Sequence, residues 1–405
     1  MASIYFHIPF CKKACHYCNF HFSTKLKNKD LLIDSIIKEL KLRKNELKNQ
    51  LVDSVYFGGG TPSILEINDI RKLIEHVFLN FDLNQKLEIT LEINPDDIKN
   101  DDLDLYKKIG INRISIGVQS FSDDDLKMIN RSHNSFQALN VIEKVKNKFE
   151  NFSLDLIYGI PNTDFEGWVN NLDIALSYLP KHISAYSLTI EPRTVLFNWV
   201  QENKVILLDE KIVLEQFNYL TSSLEEKGYD HYEISSFAKP SYYSKHNTSY
   251  WKGINYLGLG PSAHSFDGER RSWNVSNNNL YIKSIEKNIL PIERENLTKV
   301  DKYNEYIMTG LRTIWGVSIQ KIKKDFGDIF FSLLKQNVEK HINRKNLFWE
   351  KGVLKTSKKG KFLIDGIISD NASWVFSGEV VESFDEHIHR SVPMYDEGHS
   401  LACKL

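Results

Sequence analysis

The sequence predicts an α/β fold, a partial (β/α)6 barrel followed by a mostly helical, winged-helix-like module. Short apolar segments alternate with amphipathic segments over the first half of the chain, a pattern typical of parallel strands joined by right-handed helical crossovers. Six units, instead of eight, predict a barrel that is open on one side. Polar or glycine-rich residues follow several strands, where such folds place their sites. The predicted strands begin near residues 3, 53, 88, 113, 153 and 182.

Each predicted strand is a short apolar run that stops at a turn-forming or polar residue. The run 53–57 stops at Gly58-Gly59-Gly60, and the alternating run 87–93 stops at Asn94-Pro95. Between the strands, apolar residues recur at helical spacing, which predicts amphipathic helices. The other strands are predicted at residues 3–10, 113–118, 153–158 and 182–188. The helices are predicted at residues 31–49, 67–78, 101–108, 135–149 and 164–179.

The pattern divides the chain into four segments. Residues 1–200 form the barrel, and residues 201–300 form a connecting segment that is rich in aromatic residues and glycine. Residues 301–370 form the helical module, in which the sequence LKTSKKGKFL at 354–363 predicts the strand–turn–strand of a wing. In residues 371–405 lysine and asparagine nearly vanish, which indicates an appended segment that is foreign to the domain or disordered.

Composition limits the function classes. The 405 residues are 41% apolar and 12% aromatic, which is typical of a globular protein with a sizeable core. The charge is balanced, with 52 basic and 53 acidic residues, so we expect neither a nucleic-acid partner nor a permanent dock on an anionic membrane. No apolar run reaches the length of a membrane span. We expect the cysteines to be reduced and find no export signal in the sequence, which together predict a cytoplasmic location.

Three of the four cysteines, Cys11, Cys15 and Cys18, lie within eight positions of one another. An odd cluster without secretory context disfavours disulfides and indicates metal ligation. One interpretation is a zinc site that His7, His16 or His21 completes. The other is an iron–sulfur cluster with three protein ligands and one iron open to a small molecule. The spacing C-x3-C-x2-C favours the cluster, and the fourth cysteine lies far away in the terminal segment.

Eight motifs in order resemble the oxygen-independent coproporphyrinogen III oxidase-like family of radical S-adenosylmethionine (SAM) proteins. The resemblance covers residues 4–370 and implies that Cys11, Cys15 and Cys18 hold a 4Fe–4S cluster. It further implies that the amino and carboxylate groups of SAM occupy the open iron. The motifs are HIPFCKKACHYCNF, FGGGTPS, LEINPD, IGVQSF, INRSH, LDLIYGIP, HNTSYW and GLGPSAHSF.

The resemblance also implies a set of SAM-binding residues. Consecutive glycines let backbone groups approach a small zwitterion closely, although a plain tight turn would use them as well. In the family this segment holds the amino group of SAM, which assigns that role to Gly59, Gly60 and Thr61. The other positions that match SAM contacts of the family are Tyr5, Tyr17, Glu92, Gln119, Arg131 and Asp155. The last four each have a structural alternative: a solvated glutamate at a strand end, a capping glutamine, a surface arginine and a satisfied buried aspartate.

A second informative element is His246-Asn247-x-x-Tyr250-Trp251. Histidine is a common axial ligand of heme, and an aromatic pair suits the face of a flat macrocycle. In one group of the family, the heme chaperones, this element is associated with heme binding, so the resemblance implies that His246 is the axial ligand. The alternative is that His246 packs between the barrel and the C-terminal module.

The resemblance leaves two main functions. A heme chaperone would bind the cluster, SAM and heme and pass heme to a client hemoprotein, which could be respiratory and reached by transient membrane association. A coproporphyrinogen III oxidase would instead decarboxylate its substrate oxidatively. Phe20 stands where oxidases carry a further cysteine, and the first strand begins at residue 3 without the extension of oxidases. Both features favour the chaperone, and a structural zinc protein is the third interpretation.

Overall fold

The computed structural model describes residues 1–99 and 101–372. The segment predicted as foreign or disordered, with Cys403, therefore lies outside the described residues apart from positions 371 and 372. Within the described ranges, no helix combines the length and the apolar character that crossing a membrane requires.

Six parallel strands form the predicted partial barrel, and they pair in the order in which they occur along the chain. The fold class predicted from the sequence is confirmed. The strands are β1 (Ala2–Ile8), β2 (Val52–Gly59), β3 (Leu83–Ile93), β4 (Arg113–Gln119), β5 (Phe152–Tyr158) and β6 (His182–Ser187). The helices between them are α1 (Lys29–Arg43), α2 (Ile67–Asn80), α3 (Asp102–Lys108), α4 (Asp123–Met128), α5 (Ser135–Lys148) and α6 (Phe165–Ser177).

The next hundred residues extend the barrel sheet at both edges. β9 (Asn255–Leu259) pairs in parallel with β1, and β8 (Ser236–Ala238) pairs antiparallel with β6. The sheet therefore has twelve strands in the described residues, and its two edge strands do not pair with each other. The segment predicted as a connection thus contributes strands to the same sheet. Its elements are α7 (Val195–Gln201), α8 (Glu210–Glu226), β7 (Asp230–Glu233), β8 (Ser236–Ala238), α9 (Lys245–Trp251), β9 (Asn255–Leu259), β10 (His264–Phe266), β11 (Arg270–Asn274), α10 (Asn278–Glu286) and β12 (Ile292–Asn296).

The alternation of side chains along the strands places the core outside the barrel and polar groups inside it. On β1, Ile4, Phe6 and Ile8 belong to the main hydrophobic core, which also contains Leu32 of α1. Tyr5, which alternates with them, lines the internal cavity. One set of strand side chains therefore packs against the helices, and the alternating set lines the cavity.

The C-terminal module has a separate hydrophobic core. Its three strands form an antiparallel sheet, and the β-hairpin that serves as the wing lies at residues 347–356. The elements are α11 (Lys299–Leu311), β13 (Val317–Ser318), α12 (Ile319–Lys321), a π-helical turn (Ile322–Phe326), α13 (Asp328–Asn343), β14 (Leu347–Glu350), β15 (Val353–Thr356), α14 (Lys358–Phe362) and α15 (Ile364–Ala372). The boundaries of the four predicted segments stay a prediction.

The strand–turn–strand predicted at residues 354–363 is wrong in its second half. β15 ends at Thr356, and α14 follows where the second strand was predicted. The reason is local, because the Ser357 hydroxyl accepts a hydrogen bond from the Gly360 amide at 3.0 Å and so caps the helix. The wing is formed by β14 and β15 instead.

Candidate functional site

All of the site residues predicted from the sequence except Cys11 and Cys15 line one cavity of about 530 Å³. It lies at the carboxyl ends of the barrel strands, and its size is typical of small-molecule sites. Strands β1 to β5 each contribute a predicted residue, and the others come from the segments after β1, β2 and α4 and from α9. The predicted residues that line the cavity are Tyr5, Tyr17, Cys18, Gly59, Gly60, Thr61, Glu92, Gln119, Arg131, Asp155 and His246.

The loop that carries Cys11, Cys15 and Cys18, called the cysteine loop below, follows β1. Its three thiols are free and half-buried. Backbone hydrogen bonds hold the loop, since the Cys11 amide donates to Ser23 O at 3.1 Å and the Cys18 amide donates to Cys15 O at 3.3 Å. Burial raises the pKa of Cys11 and raises the pKa of Cys18 to about 12. Because only thiolates bind metals, these cysteines need a strong cationic partner to ionise, which an iron–sulfur cluster supplies.

The three histidines that could complete a zinc site are directed to other partners. His7 Nε2 lies 3.0 Å from His21 O, His16 Nδ1 lies 2.8 Å from Met128 O, and His21 Nε2 lies 2.7 Å from Asn278 Oδ1. Within residues 1–99 and 101–372, no three side chains of His, Cys, Asp or Glu converge as ligands of a single ion. A cubane cluster is larger than one ion, so its cysteines need not converge in this way. Because each candidate histidine is hydrogen-bonded to another group, the three thiols without a fourth protein ligand fit the cluster better than zinc.

The turn at the end of β2, Gly59-Gly60-Thr61, is called the glycine turn below, and it contacts the cysteine loop. The Gly60 amide donates to Ile8 O at 2.9 Å, and a Cβ at Gly60 would lie only 2.6 Å from Phe10 O. Gly59 has a φ of 107°, which favours glycine. The hydroxyl of Thr61 lies 3.5 Å from Cys11 Sγ and donates a hydrogen bond to it. Close packing alone requires glycine at position 60, and Thr61 adds a direct link to the predicted cluster ligands.

Arg131 joins the cysteine loop to the ends of the neighbouring strands. Its Nη1 lies 3.5 Å from Cys15 Sγ, and its Nη2 donates to Gly117 O at 2.8 Å and to Asn94 Oδ1. In the described part of the chain its buried Nε has no hydrogen-bond partner. An unfilled donor beside the cysteines fits the carboxylate of a ligand such as SAM. This arrangement excludes the alternative interpretation that Arg131 is a solvated arginine on the surface.

Two acidic side chains line the cavity, Glu92 on β3 and Asp155 on β5. Glu92 Oε1 accepts a hydrogen bond from the Tyr56 hydroxyl at 2.7 Å, and burial raises the pKa of Glu92 to about 8. Asp155 accepts hydrogen bonds from the Ser115 hydroxyl, the shorter at 3.1 Å, and burial raises its pKa as well. Both carboxyls can accept from ligand hydroxyls, and a protonated Glu92 can also donate.

The side chains of Gln119 and Arg131 both lie next to Gly117. A Cβ built on Gly117 would lie 3.2 Å from both Gln119 Nε2 and Arg131 Nη2. Gln119 has a φ of 67°, in the left-handed region, at the last residue of β4. Non-glycine residues in this region are uncommon and gather at functional sites.

His246 lies in α9 and is only 1% exposed. Its Nδ1 lies 3.1 Å from Ser54 Oγ, and its Nε2 lies 2.8 Å from the Tyr250 hydroxyl. The ring stacks on Tyr56, with 4.8 Å between the ring centroids. Burial lowers the pKa of His246 to about 3, so the imidazole is neutral, as a metal ligand requires. Iron ligation through Nε2 requires the Tyr250 hydroxyl to leave that nitrogen.

Sequence reasoning assigned no ligand-binding role to Tyr56, Asn94 or Arg312, although all three line the cavity. Tyr56 lies on β2 and donates a hydrogen bond to Glu92, a contact that only the structure shows. Asn94 directly follows β3, and the sequence marked it as a polar strand end without giving it a role. Arg312 comes from the C-terminal module, and nothing in its local sequence points to the barrel.

The partial barrel, its cavity and the clustered thiols define the class of radical SAM proteins. Residues 5–174 match the family model described as "Radical SAM superfamily". This class implies a 4Fe–4S cluster and SAM as cofactors. The solved structure of coproporphyrinogen III oxidase (HemN) from Escherichia coli has a TM-score of 0.80 with 23% identity, and the match covers 92% of this chain and 90% of that one. This likeness shows the fold.

Relatives define the family more narrowly. The heme chaperone HemW of Buchnera aphidicola subsp. Schizaphis graminum is 33% identical over 390 residues, which cover 90% of this chain and 97% of the relative. HemW of Bacillus subtilis is 33% identical over 348 residues, 84% and 92% of the two chains. The chain therefore belongs to the HemW family of heme chaperones. The resemblance inferred from the motifs is confirmed.

Gly60→Ala tests the contact between the glycine turn and the cysteine loop. The added Cβ cannot fit beside Phe10 O, so we expect the loop to shift and the cluster content to fall severalfold after anaerobic reconstitution. Iron and sulfide analysis measures this content, and circular dichroism confirms that the variant is folded. The control is Gly253→Ala, which strains the backbone because Gly253 has a φ of 61° but brings the new Cβ within 4 Å of no atom. Equal cluster content in both variants would show that the contact is dispensable.

Glu92→Gln tests the raised pKa of Glu92. Because its folded pKa of about 8 exceeds the reference 4.5, the wild type without ligands loses stability as pH rises between these values. Glutamine still accepts from Tyr56 but does not ionise. We expect the variant's gain in melting temperature to grow from about pH 5 to about pH 8 and then level off. Glu75→Gln, an exposed change on α2, should give no such trend, and a flat difference for Glu92→Gln would contradict the shift.

Proposed function

We propose that this protein is a heme chaperone, which binds heme in the cavity beside a 4Fe–4S cluster and SAM and delivers the heme to client hemoproteins. The observation that carries the proposal is that one cavity joins the cysteine loop to the helix α9 with its HNxxYW element. Cys18 lines this cavity together with His246, Tyr250 and Trp251. Family membership supports the same function, because the curated relatives are heme chaperones.

The residues of the barrel divide between the two resident cofactors. Cys11, Cys15 and Cys18 hold the cluster, which supplies electron transfer and an open iron when bound. Thr61 and Arg131 donate hydrogen bonds to the sulfurs of Cys11 and Cys15, and such bonds tune the potential of a cluster. The glycine turn and the adjacent strand ends would hold SAM. The residues that would bind it are Tyr5, Tyr17, Gly59, Gly60, Thr61, Glu92, Gln119, Arg131 and Asp155.

The heme lies against α9, with His246 as its axial ligand. The neutral imidazole and its place on the cavity wall support this role. Tyr250 holds the ligating nitrogen in the absence of heme, so binding exchanges a hydrogen bond for a bond to iron. The lost hydrogen bond reduces the net free energy gained on binding, which suits a protein that releases its cargo. A cytoplasmic location and a respiratory client reached at the membrane stay predictions.

A coproporphyrinogen III oxidase is the alternative, and the fold likeness to HemN favours it. Phe20, which replaces the additional cysteine of oxidases, lines the cavity and is 44% exposed. An apolar, exposed side chain next to the cysteine loop suits contact with a macrocycle or with a client surface. The alternative predicts SAM-dependent decarboxylation, which the chaperone does not require.

Titration of the reconstituted protein with hemin tests the proposal. We expect a saturable shift of the Soret band in the wild type and a binding constant at least about tenfold weaker in His246→Ala, because an iron–ligand bond is lost. The control is His76→Ala, a half-buried histidine of α2 that does not line the cavity and whose loss should leave hemin binding unchanged.

Two further measurements complete this test. Circular dichroism and cluster content separate a lost ligand from a misfolded His246→Ala variant. Absence of hemin binding in the wild type would contradict the chaperone function. Anoxic decarboxylation of coproporphyrinogen III with consumption of SAM would support the oxidase.

A further inference from the structure

Arg312 brings a positive charge from the C-terminal module to the cavity of the barrel. It caps the C-terminal end of α11, lines the cavity and is only 6% exposed. The backbone next to it pairs with the barrel sheet, since Glu233 and Thr313 form an antiparallel bridge. The module therefore holds this guanidinium firmly at the boundary with the barrel.

The contacts of Arg312 leave one of its donors unused. Nη1 forms an ion pair with Asp365, and the guanidinium carbon lies 5.8 Å from the centroid of the Trp251 ring. Among the residues that the structure describes, its buried Nε has no hydrogen-bond partner. A buried donor without an acceptor is costly, and a guanidinium offers five donors of which Asp365 engages only part. The site lacks an acceptor that a ligand could bring.

The chemistry of the surroundings indicates which acceptor fits. Trp251 belongs to the same short helix as His246, so a macrocycle against this helix extends towards Arg312. Glu233 also lines the cavity; burial raises its pKa, and the charge of the nearby Arg312 lowers it. Among the described residues the buried Nε of Arg312 still has no acceptor, and a ligand carboxylate would supply one through the charge-assisted hydrogen bond that arginine makes with carboxylates.

We propose that Arg312 binds a carboxylate of the tetrapyrrole, a heme propionate, at the boundary between barrel and module. This inference rests on the proposed heme-binding function and assigns one ligand group to one residue. It gives the C-terminal module a direct part in heme binding. Because arginine binds carboxylates through parallel hydrogen bonds, the contact also fixes the orientation of the macrocycle.

The test compares hemin with its dimethyl ester, in which both propionates are esterified. We expect the reconstituted wild type to bind hemin about tenfold more tightly than the ester, the strength of a hydrogen bond between charged groups. Arg312→Gln removes the charge and should bind both ligands equally. Asp365→Asn breaks the same ion pair but keeps the guanidinium, so it should retain the preference. This control separates ligand recognition from the structural role of the ion pair.

The outcomes distinguish this inference from the function on which it rests. If the wild type binds hemin and the ester equally well, Arg312 does not recognise a propionate, although heme binding stands. If the wild type binds neither ligand, the proposed function itself fails. A loss of SAM binding in Arg312→Gln with an unchanged preference for hemin would assign the carboxylate to SAM and overturn the inference.

Discussion

The site depends on the contact between two backbone turns at the ends of neighbouring strands. β1 and β2 pair in parallel, so the cysteine loop that follows β1 and the glycine turn that follows β2 emerge side by side. The Gly60 amide binds Ile8 O, and there is no room for a side chain at position 60. This contact sets the position of the three thiols relative to the cavity.

The polar interior of the barrel is the second requirement, since it places ionisable groups where solvent is scarce. Hydrogen bonds offset the cost of their burial, as in the pairs of Tyr56 with Glu92 and of Ser115 with Asp155. The C-terminal module completes the enclosure. Arg271 of β11 and Glu305 of α11 form a buried ion pair at 3.0 Å, which ties the module to the extended sheet and keeps Arg312 at the cavity.

The sequence was informative where the signal is local. Apolar runs that stop at glycine or asparagine marked the barrel strands, and the spacing of three cysteines indicated the cluster. The pairing of β9 with β1 was not predictable, because it joins residues about 250 positions apart and depends on tertiary contacts. Arg312 was missed for the same reason. The hydrogen bond between His246 and Ser54 was equally hidden, since Ser54 lies on β2 and 192 positions away in the sequence.

The central claim is that three cysteines hold a 4Fe–4S cluster whose fourth iron is open to SAM. Mössbauer spectroscopy of iron-57-reconstituted protein, with and without SAM, tests it most directly. The account predicts a cubane spectrum in which SAM changes the signal of a single iron site, and it predicts the same result for Cys403→Ser. A cluster that SAM leaves unchanged, or a protein that retains zinc instead of iron, would contradict the account.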